Sequence, residues 1–102
     1  MERLPHELRA QIPKLYHTRQ EAGPMVWVKF FSPVSVWRWY IVEYEEAAGL
    51  AIFYGWMITP TQERFIRTDL TSMRAYFGIT IARDLEFVAC RLSEVQQQER
   101  KG

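Results

Sequence analysis

Residues 37–44 read WRWYIVEY and place two tryptophans, two tyrosines and an arginine in eight positions. The run extends to residues 36–45, and its β-branched and aromatic residues favour a strand. Strict alternation assigns its side chains to two faces: Trp37, Trp39 and Ile41 on one, and Arg38, Tyr40, Val42 and Tyr44 on the other. Neither face is plainly polar. We therefore expect both faces of the sheet to be covered, one by helices and the other by the chain's own termini, a second copy or a partner.

Similar runs at residues 25–31, 50–59 and, shorter, 63–68 predict the neighbouring strands. Their short connections favour an antiparallel meander. A last strand is predicted within ITIARDLEFVAC, residues 79–90. We predict one helix at about residues 4–11 and a second over residues 69–77, capped by Thr68 or Asp69, with an apolar stripe of Leu70, Met73 and Phe77. Ser93 and Gln96 stand at capping-box spacing for a C-terminal helix, and the tail 97–102 is expected to fray.

These elements predict one α+β domain over residues 1–102. Its sheet is a mostly antiparallel meander of three to five strands, with short helices packed on one side. A chain of 102 residues with 48% hydrophobic residues is long enough for one core and is not expected to be disordered.

Charge and cysteine content limit the function and the compartment. The formal net charge is +1, which gives no overall electrostatic attraction to nucleic acid or to an anionic membrane. A neutral protein can still carry a local basic patch, so the charge weakens the nucleic-acid interpretation and does not exclude it. Cys90 is the single cysteine, which fits a reducing cytoplasm and a small buried side chain. The charged N-terminus lacks the apolar run of a signal peptide, and no segment reaches the length of a membrane helix. We expect a cytoplasmic protein without membrane contact.

No strong catalytic or metal motif is present in the sequence. His6 and His17 lack a cysteine or carboxylate at ligand spacing, and the glycines occur singly, so no phosphate-binding loop is predicted. Glu43, Glu45 and Glu46 are interpreted as a solvated strand end rather than as acid–base catalysts. The sequence therefore predicts no enzyme activity, no cofactor and no metal.

The aromatic strands are the main candidates for binding. Four tryptophans with Lys29 and Arg38 interleaved could stack single-stranded nucleic acid, or could form a protein interface, in which Trp, Tyr and Arg dominate. The alternative is that these rings are simply core. Arg83 and Asp84 are expected to fix backbone or pair locally, and Glu43 to pair with Arg38 or Lys29 across the sheet. The candidate binding residues are Trp27, Lys29, Trp37, Arg38, Trp39, Tyr40, Glu43, Trp56, Arg83 and Asp84.

Five segments resemble a family of small bacterial and plasmid-borne proteins, the domain of unknown function 2958. The matching positions are Pro13, Leu15 and Tyr16; Lys29, Phe30, Phe31 and Pro33; Trp37, Trp39, Tyr40 and Glu43; Tyr54 and Gly55; and Arg83, Asp84, Leu85 and Phe87. The resemblance spans roughly residues 12–88. This chain departs from the family pattern at TPTQERFIRTDL, where members tend to have an acidic, glycine-containing turn.

The resemblance implies a genetic context and no catalytic residue. Genes of this family tend to lie on plasmids, phages and integrated elements, beside replication, transfer or anti-restriction genes. We therefore expect a small non-enzymatic accessory protein of a mobile element that acts by protein–protein binding. Its partner is either another protein, such as a host or defence protein that it inhibits, or a second copy of itself bound through the sheet. The alternative is a single-stranded nucleic-acid-binding module that uses the aromatic sheet face.

Overall fold

The computed structural model of the chain describes residues 4–69, 71–73 and 81–101. Its elements in chain order are α1 (His6–Gln11), β1 (Met25–Val26), β2 (Val28–Phe31), β3 (Arg38–Ala47), β4 (Leu50–Ile58), β5 (Glu63–Asp69), β6 (Ala82–Arg83), β7 (Cys90–Arg91) and α2 (Leu92–Lys101). Residues 71–73 are also helical.

The central feature is a five-stranded antiparallel sheet with the strand order β5-β4-β3-β2-β6. Strands β2 to β5 follow one another as a meander, and β6 returns to the free edge of β2. The predicted run 25–31 is divided at Trp27, because β1 leaves this sheet to pair with β7. The predicted α+β class with an antiparallel meander is confirmed.

The long hairpin of β3 and β4 depends on three small residues. Ala48 and Gly49 connect the strands with φ values of 52° and 77°, the left-handed conformation that a two-residue hairpin turn requires at both positions. Gly55 lies so close to β3 that an added Cβ would be 2.2 Å from the carbonyl oxygen of Tyr40. Only glycine fits this crossing without a shift of backbone.

A bulge in β3 changes which side chains share a face. The pairing of β3 with β4 shifts between Ile41 and Glu43, so one extra residue is accommodated there. Tyr44 consequently packs on Phe53, with ring centroids 5.2 Å apart, in the same core as Trp39 and Ile41. The alternation predicted Tyr44 on the opposite face, which is wrong because strict alternation ends at the bulge.

Each face of the sheet carries its own core. The first-face core contains Val28, Phe30, Trp39, Ile41, Tyr44, Phe53 and Met57, together with Leu4, Ile12, Met73 and Ile81. The second-face core contains Tyr40, Val42 and Ile58, together with Val26 and with Leu92 and Val95 of α2. Leu8 of α1 packs against the first-face core. Both faces are covered, as predicted, but the helices are divided between the two faces rather than gathered on one side.

The C-terminal segment is ordered against the sheet. The tail was predicted to fray from residue 97, yet α2 continues to Lys101 and its Glu99 accepts hydrogen bonds from Arg38 and Tyr40. The predicted capping box is also wrong, because the helix already begins at Leu92. The N–H of Leu92 donates instead to the carbonyl of Pro24 at 2.9 Å.

The segment predicted as a last strand, residues 79–90, forms two short strands separated by a turn. The N–H of Glu86 donates to Oδ1 of Asp84 at 3.0 Å, and this bond closes the turn between β6 and β7. The predicted helix 69–77 lies mostly outside the described residues. Within them, Asp69 accepts a hydrogen bond from the N–H of Ser72 at 2.8 Å, as expected of a cap, and Met73 is buried. No helix in the described part of the chain is both long and apolar enough to cross a bilayer.

Candidate binding surface

Glu43 is a fully buried carboxylate that holds the loop between α1 and β1 against the sheet. Its oxygens accept hydrogen bonds from the N–H of Tyr16 at 2.8 Å, the N–H of Thr18 at 3.0 Å and the Thr18 hydroxyl. Nε of Arg19 donates at 3.0 Å and forms an ion pair. Both expectations for Glu43 are wrong. Its side chain is buried beneath this loop rather than solvated, and the cations proposed as partners pair elsewhere, Arg38 with Glu99 and Lys29 with Asp84.

The hydrogen bonds keep this carboxylate ionised. Burial by itself would raise the pKa of Glu43, but the bonds from the Thr18 hydroxyl, the two backbone N–H groups and Arg19 together lower the pKa below its ordinary value. A buried carboxylate with this many donors is compatible with a stable fold, since its lone pairs are satisfied.

Tyr16 is strained and exposed at the tip of the loop. The backbone φ of Tyr16 is 73°, a conformation that residues other than Gly, Asn and Asp rarely adopt. Of the surface of Tyr16, 61% is accessible to solvent. Its hydroxyl accepts a hydrogen bond from Nη1 of Arg67 at 2.8 Å. Cζ of Arg19 lies 4.3 Å from the centroid of the Tyr16 ring and 3.5 Å from that of Tyr54, so the guanidinium contacts both rings.

Aromatic rings on β4 and β5 continue this surface. Tyr54 and Phe65 are parallel, with centroids 5.1 Å apart, and Trp56 meets Phe65 edge-on at 5.0 Å. Phe65 is 38% exposed. The indole N–H of Trp56 donates to Glu63 at 3.3 Å. We call these contiguous residues the Tyr16 surface: Tyr16, Arg19, Tyr54, Trp56, Phe65 and Arg67.

Four of the residues predicted from the sequence lie around a separate cleft of about 330 Å³: Lys29, Trp37, Arg38 and Asp84. Nζ of Lys29 is 3.8 Å from Asp84, whose N–H also donates to the Lys29 carbonyl at 2.9 Å. Arg38 pairs with Glu99, and this hydrogen bond is the main reason that the pKa of Glu99 is lowered. The expected local role of Asp84 is therefore confirmed, through Lys29 and the turn at Glu86.

The remaining predicted residues are dispersed. Trp39 and Tyr40 are buried in the two cores, so neither side chain belongs to an accessible surface. Burial, and next the bond to Glu99, raises the pKa of Tyr40. Trp27 is partly buried and borders a cavity of about 170 Å³ with Arg83 and Asp84. Of the four predicted tryptophans, only Trp56 contributes to the Tyr16 surface.

Sequence reasoning missed the loop residues of this surface. Arg19 lies in HTRQEAGP, a segment whose composition indicates only a loop, and nothing local connects it with Glu43. Tyr16 was named only among the positions that resemble domain of unknown function 2958. In the structure Tyr16 and Glu43 are joined by a hydrogen bond.

The described residues were also considered for a metal site and for a reactive thiol. They contain no group of three or more His, Cys, Asp or Glu side chains that could hold a metal ion. Cys90 packs against the second-face core, and burial, followed by the charge of Glu94, raises the pKa of its thiol. The reactive thiolate form is therefore disfavoured at neutral pH.

Comparison with known proteins adds no relative. No family model matches the sequence, and no match was found among curated proteins or among solved structures. The resemblance to domain of unknown function 2958 stays a prediction.

Proposed function

We propose that this protein is a non-enzymatic binding module that docks another protein through the Tyr16 surface. The observation that carries the proposal is Tyr16 itself, an exposed ring held in a left-handed backbone conformation. Such a conformation costs a tyrosine on the order of 1–3 kcal/mol, whereas glycine or asparagine adopts it readily. The Tyr16 ring is exposed to solvent although its backbone conformation is unfavourable for tyrosine, and this combination supports a role for the ring in contact with a partner.

The surroundings of Tyr16 favour a pre-organised interface. Glu43 fixes the backbone at Tyr16 and at Thr18, and Arg19 and Arg67 contact the Tyr16 ring and hydroxyl. Rigid aromatic and arginine side chains lose little entropy on binding, and they dominate protein interface hot spots. The arrangement supports protein binding more than it supports any chemistry on a small substrate.

The distribution of charge favours a protein partner over nucleic acid. A phosphate backbone requires available cations beside the stacking rings. On the Tyr16 surface, Arg19 is paired with Glu43 and Arg67 donates to the Tyr16 hydroxyl. At the separate cleft, Lys29 is paired with Asp84 and Arg38 with Glu99. Single-stranded nucleic acid remains the second candidate, because Phe65 and Trp56 offer partly exposed rings.

The resemblance supplies the biological part of the proposal. It supports an accessory role in a plasmid, phage or integrated element, in which the module binds a host or defence protein and inhibits it. No active site is needed for that role, since occupying the target is sufficient.

Affinity capture with matched variants tests the proposal. Tyr16→Asn removes the ring while keeping a residue that tolerates the backbone, and Leu85→Ala is the control, because Leu85 is 72% exposed outside the Tyr16 surface. We expect a protein retained by the wild type and by Leu85→Ala but lost with Tyr16→Asn. Equal retention by all three would contradict the proposal.

A titration with a labelled single-stranded oligonucleotide tests the second candidate. We expect no tight binding near physiological salt. Sub-micromolar affinity that falls steeply as salt rises would replace the protein-binding proposal with the nucleic-acid one.

A further inference from the structure

Strand β5 presents a long unpaired edge. It is the terminal strand of the five-stranded sheet, it covers seven residues, and no other strand in the described residues pairs with its outer side. An open edge of this length is a template for adding another strand.

The hairpin turn shows which backbone groups point outward. The N–H of Thr59 donates to the carbonyl of Gln62 at 2.9 Å, which makes this pair a hydrogen-bonded one. Hydrogen-bonded and non-hydrogen-bonded pairs alternate along an antiparallel ladder. Arg64 and Ile66 therefore bond toward β4, and the backbone groups of Glu63, Phe65 and Arg67 face the open edge.

We propose that β5 pairs antiparallel with β5 of a second copy of this chain, with Phe65 opposite the partner's Phe65. In this register Glu63 lies opposite the partner's Arg67, and symmetry repeats the ion pair on the other side of Phe65. The outward backbone groups of Glu63, Phe65 and Arg67 meet their equivalents, so each pair exchanges two hydrogen bonds. The sequence of the edge is thus complementary to itself.

Charge selects this register over its neighbours. A pairing centred on Ile66 keeps the same backbone groups in contact, but it sets Glu63 opposite the partner's Asp69. A pairing centred on Arg67 sets two arginines opposite each other. Like charges directly opposite destabilise a ladder, whereas opposite charges stabilise it.

Pairing about Phe65 would join two sheets into one and set two Tyr16 surfaces side by side. Glu63, Phe65 and Arg67 project to the same face as Tyr54 and Trp56, because cross-strand partners point to the same side. The inference goes beyond the proposed function and does not rest on it. Self-pairing uses the backbone edge of β5 and the side chains of Glu63 and Arg67, whereas partner binding depends on the ring of Tyr16. Arg67 takes part in both, so the effect of Glu63→Arg on dimerisation, at a residue outside the Tyr16 surface, separates the two.

Charge reversal with rescue tests the proposal by analytical ultracentrifugation over a concentration series. We expect a wild-type dimer, and Glu63→Arg or Arg67→Glu should each weaken dimerisation by about tenfold or more. The double variant Glu63→Arg/Arg67→Glu restores both ion pairs and should return dimerisation to near the wild-type level. Arg64→Glu is the control and should leave dimerisation unchanged, since Arg64 lies opposite the partner's Ile66, an uncharged residue, in this register. A wild-type monomer throughout, a dimer insensitive to the single changes, or a double variant without rescue would overturn the proposal.

Cysteine cross-linking tests the register even if a charge variant folds poorly. Phe65→Cys in a Cys90→Ser background should form an intermolecular disulfide under oxidising conditions, since opposite residues in a sheet lie within disulfide range. Ile66→Cys in the same background should not, because Ile66 lies opposite the partner's Arg64. Cross-linking through position 66 and not 65 would show the other register and overturn this one.

Discussion

At the scale of single residues, Glu43 connects the central sheet to the loop between α1 and β1. Its carboxylate is fully buried and connects β3 to Tyr16, Thr18 and Arg19, 24 to 27 residues earlier in the chain. The loop that presents the Tyr16 surface has no regular secondary structure, so these hydrogen bonds rather than a helix or strand fix its conformation.

Replacing Glu43 by glutamine should be costly, because an amide cannot satisfy the same donors. Its NH2 group would face the backbone N–H groups or the guanidinium, and Arg19 would lose its ion-pair partner. We expect Glu43→Gln to lower the free energy of unfolding by about 2–4 kcal/mol in urea denaturation. Glu45→Gln on the same strand is the control and should change it by less than about 0.5 kcal/mol. Equal effects of the two variants would contradict the role assigned to Glu43.

The pKa of Glu43 predicts the direction of the pH dependence. Because the native state lowers this pKa, its contribution to stability is complete above the pKa of the unfolded chain and is lost as the pH falls through the native pKa. Asp69 and Glu99 are shifted in the same direction and add to the effect. We expect the stability of the wild type to fall below about pH 4.3, and that of Glu43→Gln to fall less. Parallel pH profiles would contradict this account.

At the scale of secondary-structure elements, the β3–β4 hairpin lies within the five-stranded sheet and depends on the close approach of its two strands at Gly55. Gly55→Ala places a methyl group against the backbone of Tyr40 and Ile41, which cannot move without separating the strands. We expect a loss of about 1–3 kcal/mol or more in the free energy of unfolding. Gly23→Ala is the matched control, since its Cβ would lie 3.5 Å from Oγ of Ser93, an ordinary contact. The idea fails if both alanines are tolerated equally.

Local sequence patterns were sufficient for the strands and insufficient for the site. Alternation and β-branched content located β3, β4 and β5 and indicated that both faces would be covered. The bulge after Ile41 leaves no sign in composition, because the shift arises from how β3 meets β4. The faces of Glu43 and Tyr44, and therefore the binding surface, could not be predicted from spacing. Trp39 and Tyr40 were the residues for which the core was the correct alternative.

At the scale of the whole molecule, α2 joins the C-terminus to the sheet. Glu99 accepts hydrogen bonds from Arg38 and Tyr40, while Leu92 and Val95 complete the second-face core. The sequence QQQERKG has the composition of a disordered tail, yet residues 96–101 are helical and Glu99 bonds to β3. A local sequence pattern cannot predict hydrogen bonds between residues as far apart in the chain as Glu99 and Arg38.

Removing the carboxylate of Glu99 should therefore loosen the helix. We expect Glu99→Ala to lower the free energy of unfolding by about 1–2 kcal/mol, because Arg38 and the Tyr40 hydroxyl lose a partly buried partner. Gln98→Ala, an exposed position on the same helix, is the control. Hydrogen exchange would show faster exchange in residues 95–101 of the Glu99 variant alone. Unchanged exchange would mean that the apolar contacts are sufficient to hold α2.

The measurement that tests the central claim most directly compares binding and stability for Tyr16→Asn. Isothermal titration of the captured partner protein gives the affinity, and urea denaturation gives the free energy of unfolding. We predict an affinity lower by about thirtyfold, the loss expected of an interface hot spot, with a free energy of unfolding within about 1 kcal/mol of the wild type. An unchanged affinity, with Leu85→Ala equally unaffected, would show that the strained and exposed ring of Tyr16 is not the contact on which binding depends.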